Sequence, residues 1–330
     1  MKYIGIDVSK AKLDLALLDA GGNVLEQVVV RNTPKALHGR LTRWMRQRGL
    51  APDDCLACFE PTGHYSYNVL RTLLDAQVPA WMAHPLEIKQ RMGMVRGKND
   101  AVDALRIADY AMRHQDKQRL SGADTLAVLE LKHLLAFRRR LVADAVRHKV
   151  YNNDLYPCMS DALRKHFSPY SNRRIKQAKN MVAKVDRLIL DLIKSDPIMA
   201  RQHELLLSVD LVGPALAAHL IAATERFTRM TGPRQLACHS GVAPHQHISG
   251  SSIHTRDRVS HHADKTLKAA LHMSALGATR GVGELCAYYQ RKVAEGKNPM
   301  SVLNAVRGKI IHRVCAVIKR GTPYQERQPI

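Results

Sequence analysis

Three strand patterns stand end to end at the start of the chain, with connections too short for anything but reversal. Tyr3–Asp7, Lys12–Leu18 and Val24–Val30 are apolar runs, the last two separated by a Gly21-Gly22 turn. Consecutive strands joined this closely form an antiparallel meander, because a parallel neighbour needs a long crossover. The pattern then alternates. Leu37, Leu41, Trp44 and Met45 have helical spacing, so Leu37–Arg48 reads as a helix. Cys55–Glu60 reads as a fourth strand, Tyr67–Ala76 as a helix, Pro79–Ala83 as a fifth strand and Asp100–Arg113 as a helix.

A meander followed by alternating helices and strands matches the ribonuclease-H-like layout. Beyond it, from about 116 to 205, strand signal is nearly absent. Leu131, Leu134, Leu141 and Ala145 keep a three/four spacing broken by Arg138, and Val182, Val185, Ile189 and Leu192 do the same. Two helices with narrow apolar stripes suggest a coiled coil. Pro157 and Pro169 are expected to punctuate the join between them. From about 206, Gly213-Pro214 feeds an apolar helix, Ala215–Ala223. That turn resembles one hairpin of a helix-hairpin-helix element, and a plain packing turn fits it equally. Helices near 264–278, 284–294 and 299–319 follow. The expected fold is therefore α/β plus α, with an α/β domain over 1–115, a helical coiled-coil region over 116–205 and a mainly helical C-terminal domain over 206–330.

Charge gives the first indication of function. The net charge is +22, and residues 116–330 carry 35 Lys/Arg against 17 Asp/Glu. Such a chain attracts polyanions through counterion release and long-range steering. The bases are spread too widely for a polybasic membrane anchor. No apolar run approaches the roughly 18 residues that span a bilayer, and Met1–Asp7 does not read as a secretory signal, so the expected location is the cytoplasm. Cys55 and Cys58 have CxxC spacing, but no second pair completes a zinc site, so they read as strand packing.

Acidic residues are placed where the chemistry needs them. Asp7 ends the first strand and Glu60 the fourth, neighbours in such a sheet, so their ends converge. Asp100 and Asp103 are three apart on a helix and share a face. Each alone fits a duller role as a turn residue, an N-cap or a first-turn carboxylate. Four carboxylates aimed at one place repel one another unless cations neutralise them. Oxygen ligands suit Mg²⁺ or Mn²⁺, and two such ions about 4 Å apart serve phosphodiester chemistry.

The strings Ile4-Gly5-Ile6-Asp7-Val8-Ser9-Lys10, Glu60-Pro61-Thr62-Gly63-His64-Tyr65 and Lys98-Asn99-Asp100-Ala101-Val102-Asp103-Ala104 resemble the motifs of the DEDD transposases, the Piv/MooV-type insertion-sequence recombinases. Asn99 departs from the Thr or Ser expected in many relatives. The resemblance spans nearly the whole chain. It implies a RuvC-like N-terminal domain, a coiled coil and a C-terminal transposase domain with a serine in a Ser-Gly-Ser-Ser loop, here Ser249-Gly250-Ser251-Ser252. It implies that Ser249 attacks DNA and holds it as a phosphoserine ester, activated by a metal or base. It also implies a bridge RNA that guides the enzyme to donor and target DNA, and homodimers that pair into tetramers on DNA. His245, His247, His254, His261 and His262 flank the loop and read as phosphate contacts or surface.

Two enzymatic readings compete with this one. A Holliday-junction-resolving nuclease would use the same carboxylates with water as nucleophile. An actin-like or sugar-kinase ATPase would need a Gly/Thr-rich hairpin after Asp7, where Val8-Ser9-Lys10-Ala11-Lys12 has no glycine. A catalytically dead binder of nucleic acid gains nothing from four acids.

Overall fold

The computed structural model describes residues 1–91, 100–249 and 253–325. The chain forms two compact units, Met1–Leu129 and Glu130–Ile330.

The first unit is a mixed sheet covered on both faces. Its strands are β1 (Lys2–Val8), β2 (Lys12–Leu18) and β3 (Val24–Arg31), then α1 (Pro34–Arg48), β4 (Cys55–Phe59), α2 (Tyr65–Asp75), β5 (Ala80–Met82), α3 (Pro85–Arg91) and α4 (Asp100–Arg113). The strand order is β3-β2-β1-β4-β5, with β1–β2 and β2–β3 antiparallel and β1–β4 and β4–β5 parallel. The expected meander is thus present, and the parallel strands lie beside β1 as the ribonuclease-H-like layout requires. Thr33 caps α1 by accepting from the Ala36 amide, Pro34 occupies its first turn, and Gly49 closes it at φ 60°.

Strand alternation divides the core. Ile4, Ile6, Leu13, Leu15, Phe59 and Trp44 pack on one side of the sheet with α1 and α2. Tyr3, Ala16, Leu18, Cys58, Trp81, Ile107 and Ala108 pack on the other with α4. Cys55 belongs to the first cluster and Cys58 to the second, so the pair points to opposite faces and serves as packing. Gly5 brings α4 close to β1: a Cβ there would stand 2.0 Å from the Ala104 carbonyl oxygen and 2.4 Å from the Ala108 amide nitrogen. Only glycine permits that approach.

α5 (Ala123–Val150) begins within the first core, to which Leu126 and Leu129 contribute. The second unit continues with α6 (Asp161–Ser195), α7 (Pro197–Leu207), α8 (Pro214–Thr224), α9 (Pro233–His239), β6 (His245–Ser249), β7 (Ile253–Arg258), α10 (Lys265–Leu276), α11 (Glu284–Ala294) and α12 (Pro299–Arg320). α5 and α6 run antiparallel: Arg138 pairs with Asp186, and His148 and Asn152 reach Ser171 and Asn172. The join is a π turn, Tyr151–Leu155, followed by a tight turn at Tyr156–Cys158. Pro157 lies in that join as expected. Pro169 does not punctuate it and lies inside α6. Its missing N–H costs one helical bond, which a 35-residue helix tolerates. The C-terminal region is mainly helical, but it also holds the antiparallel β6–β7 hairpin, which the apolar pattern did not reveal.

α12 is the central element of this unit. Its N-cap Asn298 accepts from the Met300 and Ser301 amides, and Gly321 ends it at φ 73°. Val302, Leu303, Val306, Ile310, Ile311 and Val314 are buried along it, and α7, α9, α10 and α11 all pack against it.

Candidate active site

The sheet places acidic residues on the face that α4 covers. Asp7 shares its side of β1 with Tyr3 and Gly5. The parallel register pairs Ile6 with Phe59, so Asp7 and Glu60 are adjacent at the ends of their strands. The antiparallel register sets Asp14 of β2 directly opposite Asp7. Asp100 and Asp103 lie in the first turn of α4, which Gly5 holds against β1.

Carboxylate oxygens of Asp7, Asp14 and Asp100 all lie within 4.8 Å of one another. Asp14 did not stand out in the sequence and is the most enclosed of the three, at 3% exposure. Its Oδ2 is sealed from solvent. The Lys12 ammonium stands 3.1 Å from that oxygen and 2.9 Å from Asp100 Oδ2. A buried carboxylate of this kind requires a cation, and Lys12, itself half exposed, supplies one charge against several.

Glu60 and Asp103 lie outside this tight triad but feel it. Burial pushes the Asp7 carboxyl above its ordinary range, and Asp100, Asp103 and Asp14 push the same way while Lys12 opposes them. Burial, then Asp7 and Asp103, raises Glu60. Asp103 accepts from Arg106 at 2.8 Å. All four expected carboxylates therefore fall in one electrostatic neighbourhood, with Asp14 as a fifth. Asn99 lies outside the described residues.

Ser249 is the last residue of β6, and its backbone pairs with Ile253 across the hairpin. Gly250, Ser251 and Ser252 lie outside the described residues. The second unit carries most of the basic side chains. Arg140, Lys149, Arg173, Arg174 and Lys176 are exposed. Arg138, Arg139, Gly213, Pro214, His219 and Lys265 line a groove of about 740 Å³ at the start of α8. Helix-start amides beside three basic side chains can hold phosphate. Among the described residues, no helix is long and apolar enough to cross a membrane.

A parallel-edged acidic site in one unit and a strongly basic second unit define a class: an enzyme that acts on nucleic-acid strands. Comparison with known proteins makes it a DNA recombinase. A profile for transposases of the IS110 DEDD type matches residues 4–154, and one described as transposase of the IS116/IS110/IS902 family matches residues 203–290. The chain belongs to this family of insertion-sequence transposases. It is 23% identical to the pilin gene-inverting proteins of Moraxella bovis and Moraxella lacunata, over 98% of both chains in each case. A 43.6 kDa protein of insertion element IS110 from Streptomyces coelicolor is 30% identical over 38% of this chain and 30% of its own length. Among solved structures, T. thermophilus RuvC in complex with a Holliday junction substrate aligns at 17% identity and a TM-score of 0.28, covering 37% of this chain and 99% of RuvC.

Proposed function

We propose that the protein cuts and rejoins the DNA of an insertion element through a phosphoserine at Ser249, with Asp7, Glu60, Asp100 and Asp103 holding divalent cations. Asp14 joins them. The observation that carries the metal reading is the convergence of Asp7, Asp14 and Asp100 oxygens within 4.8 Å of one another, with the buried Asp14 facing a single Lys12 ammonium among the described residues. The donors are all oxygen, which suits Mg²⁺ or Mn²⁺. Such ions would polarise the phosphodiester and stabilise the charge that develops on its oxygens.

In the serine step, the Ser249 Oγ–phosphorus bond forms and one phosphorus–oxygen bond of the DNA breaks. The serine proton leaves to a base and the departing DNA oxygen takes up a proton. Attack by a hydroxyl of the other strand reverses the exchange, so bond energy is conserved and no external energy source is needed. That suits a recombinase and distinguishes it from a nuclease. The net charge of +22 supports binding to polyanions, and the proposed partners are DNA and a structured guide RNA. Base pairing to RNA would read the sequence, with basic side chains holding phosphates. The three regions, 1–115, 116–205 and 206–330, would act as metal domain, pairing region and transposase domain, with homodimers forming tetramers on DNA.

The test is covalent trapping. Protein with its co-purified RNA is mixed with labelled element-junction DNA and Mg²⁺ and run on a denaturing gel. A protein–DNA band lost in Ser249→Ala, and lost with EDTA or in Asp7→Ala, is expected. Metal-dependent cutting with no such band, undiminished in Ser249→Ala, would establish a junction-resolving nuclease instead.

A further inference from the structure

Arg307 is buried and, among the described residues, has no partner. It lies on α12 at 8% exposure, flanked by Leu303, Val306, Ile310 and Ile311. Its Nε is sealed from solvent and donates to nothing. Among the described residues no carboxylate, carbonyl or hydroxyl pairs with its guanidinium, and burial alone weakens its hold on its proton. Two other enclosed arginines of this unit have carboxylate partners: Arg226 meets Asp196 at 2.7 Å, and Arg313, whose Nη1 is likewise sealed without a hydrogen bond, meets Glu284 at 2.6 Å.

An uncompensated buried charge is strongly unfavourable, and apolar replacement of such groups often stabilises a fold. A charge kept under those conditions points to a partner that is not part of the protein. A guanidinium presents planar, paired donors that fit the oxygens of a phosphate. The position has a consequence as well. One turn earlier on the same helix, Asn304 donates from Nδ2 to the Val242 carbonyl at 3.1 Å. That bond fixes to α12 the segment that runs into β6, the strand ending at Ser249. α9, which precedes this segment, also packs on α12.

We propose that Arg307 is a phosphodiester-binding residue, holding a backbone phosphate of DNA at the base of the β6–β7 hairpin. The inference deepens the recombinase reading and rests on it. Binding of a labelled duplex to the full chain is followed by fluorescence anisotropy from 50 to 200 mM salt, alongside melting temperatures with and without inorganic phosphate. Arg307→Met is expected to weaken binding about tenfold and to lower the slope of log K against log salt by about 1. It is also expected to melt higher than the native chain, because the buried charge is gone. Arg307→Lys keeps the charge without the fork, so it keeps the slope and loses part of the affinity. It carries the same comparison if the methionine variant does not fold.

Unchanged affinity and slope with a lower melting temperature would overturn the proposal and leave Arg307 as packing. Stabilisation of the native chain by phosphate, lost in Arg307→Met with DNA binding untouched, would overturn it in favour of a free-phosphate site. A native chain with no salt-dependent DNA binding would overturn the recombinase reading first, and this inference with it.

Discussion

Asp14 is the residue on which the site's electrostatics turn. It sits in the strand Lys12-Leu-Asp-Leu-Ala-Leu-Leu18, where every other residue after Lys12 is apolar. Enclosed, and matched among the described residues only by the ion pair to Lys12, it calls for a second cation. Asp14→Asn is expected to weaken Mn²⁺ binding about tenfold, read by electron paramagnetic resonance of free Mn²⁺. Equal binding would remove Asp14 from the metal set. The raised carboxyls of Asp7 and Glu60 set a pH dependence. A native state that holds a proton more tightly than the unfolded chain gains stability at low pH and loses it as pH rises through the folded value. The metal-free protein therefore loses stability from these groups as pH climbs above about 4, the ordinary carboxylate range. Asp7→Asn should melt higher than the native chain at pH 7 without metal. The difference should vanish near pH 4 in calorimetry, and a constant difference at all pH values would contradict it.

At the scale of elements, the contact between α4 and β1 aligns the site. Gly5→Ala would force a methyl into the backbone of Ala104 and Ala108. The expected result is a loss of about 1–3 kcal/mol in chemical denaturation, as for other overpacked cores, with DNA cleavage lost more completely than stability. Wild-type cleavage in a destabilised Gly5→Ala would show that α4 need not be held so closely. Much of this unit was legible in the sequence: three runs of branched apolar residues with short turns leave one arrangement, and α4 spans Asp100–Arg113 as its spacing implied. Asp14 was harder to see because its role comes from register. Ser9 N–H donates to the Lys12 carbonyl in the turn between β1 and β2, and that turn length sets residue 14 opposite residue 7. The β6–β7 hairpin was hidden because His-Gln-His-Ile-Ser offers one apolar side chain, too few for an alternation to show. Pro169 was misjudged because proline is a strong breaker locally, while the helix around it is held by its length and its packing.

For the whole molecule, charge and chemistry are divided between regions. Residues 116–330 hold 35 of the Lys/Arg against 17 Asp/Glu, and the described carboxylate cluster lies in the first unit. Binding of duplex DNA should therefore fall steeply with salt, by about a thousandfold between 50 and 200 mM if some six phosphates are neutralised. A chain ending near residue 129 should retain little of that affinity. Strong, salt-sensitive binding by the first unit alone would contradict the division.

The central claim is that the DNA becomes joined to Ser249, and peptide mass spectrometry of the trapped complex tests it most directly. After nuclease trimming and trypsin, the account predicts a nucleotide phosphate on the peptide spanning residues 235–256, located at Ser249. An adduct on any other residue, or cleaved DNA with that peptide unmodified, would contradict it.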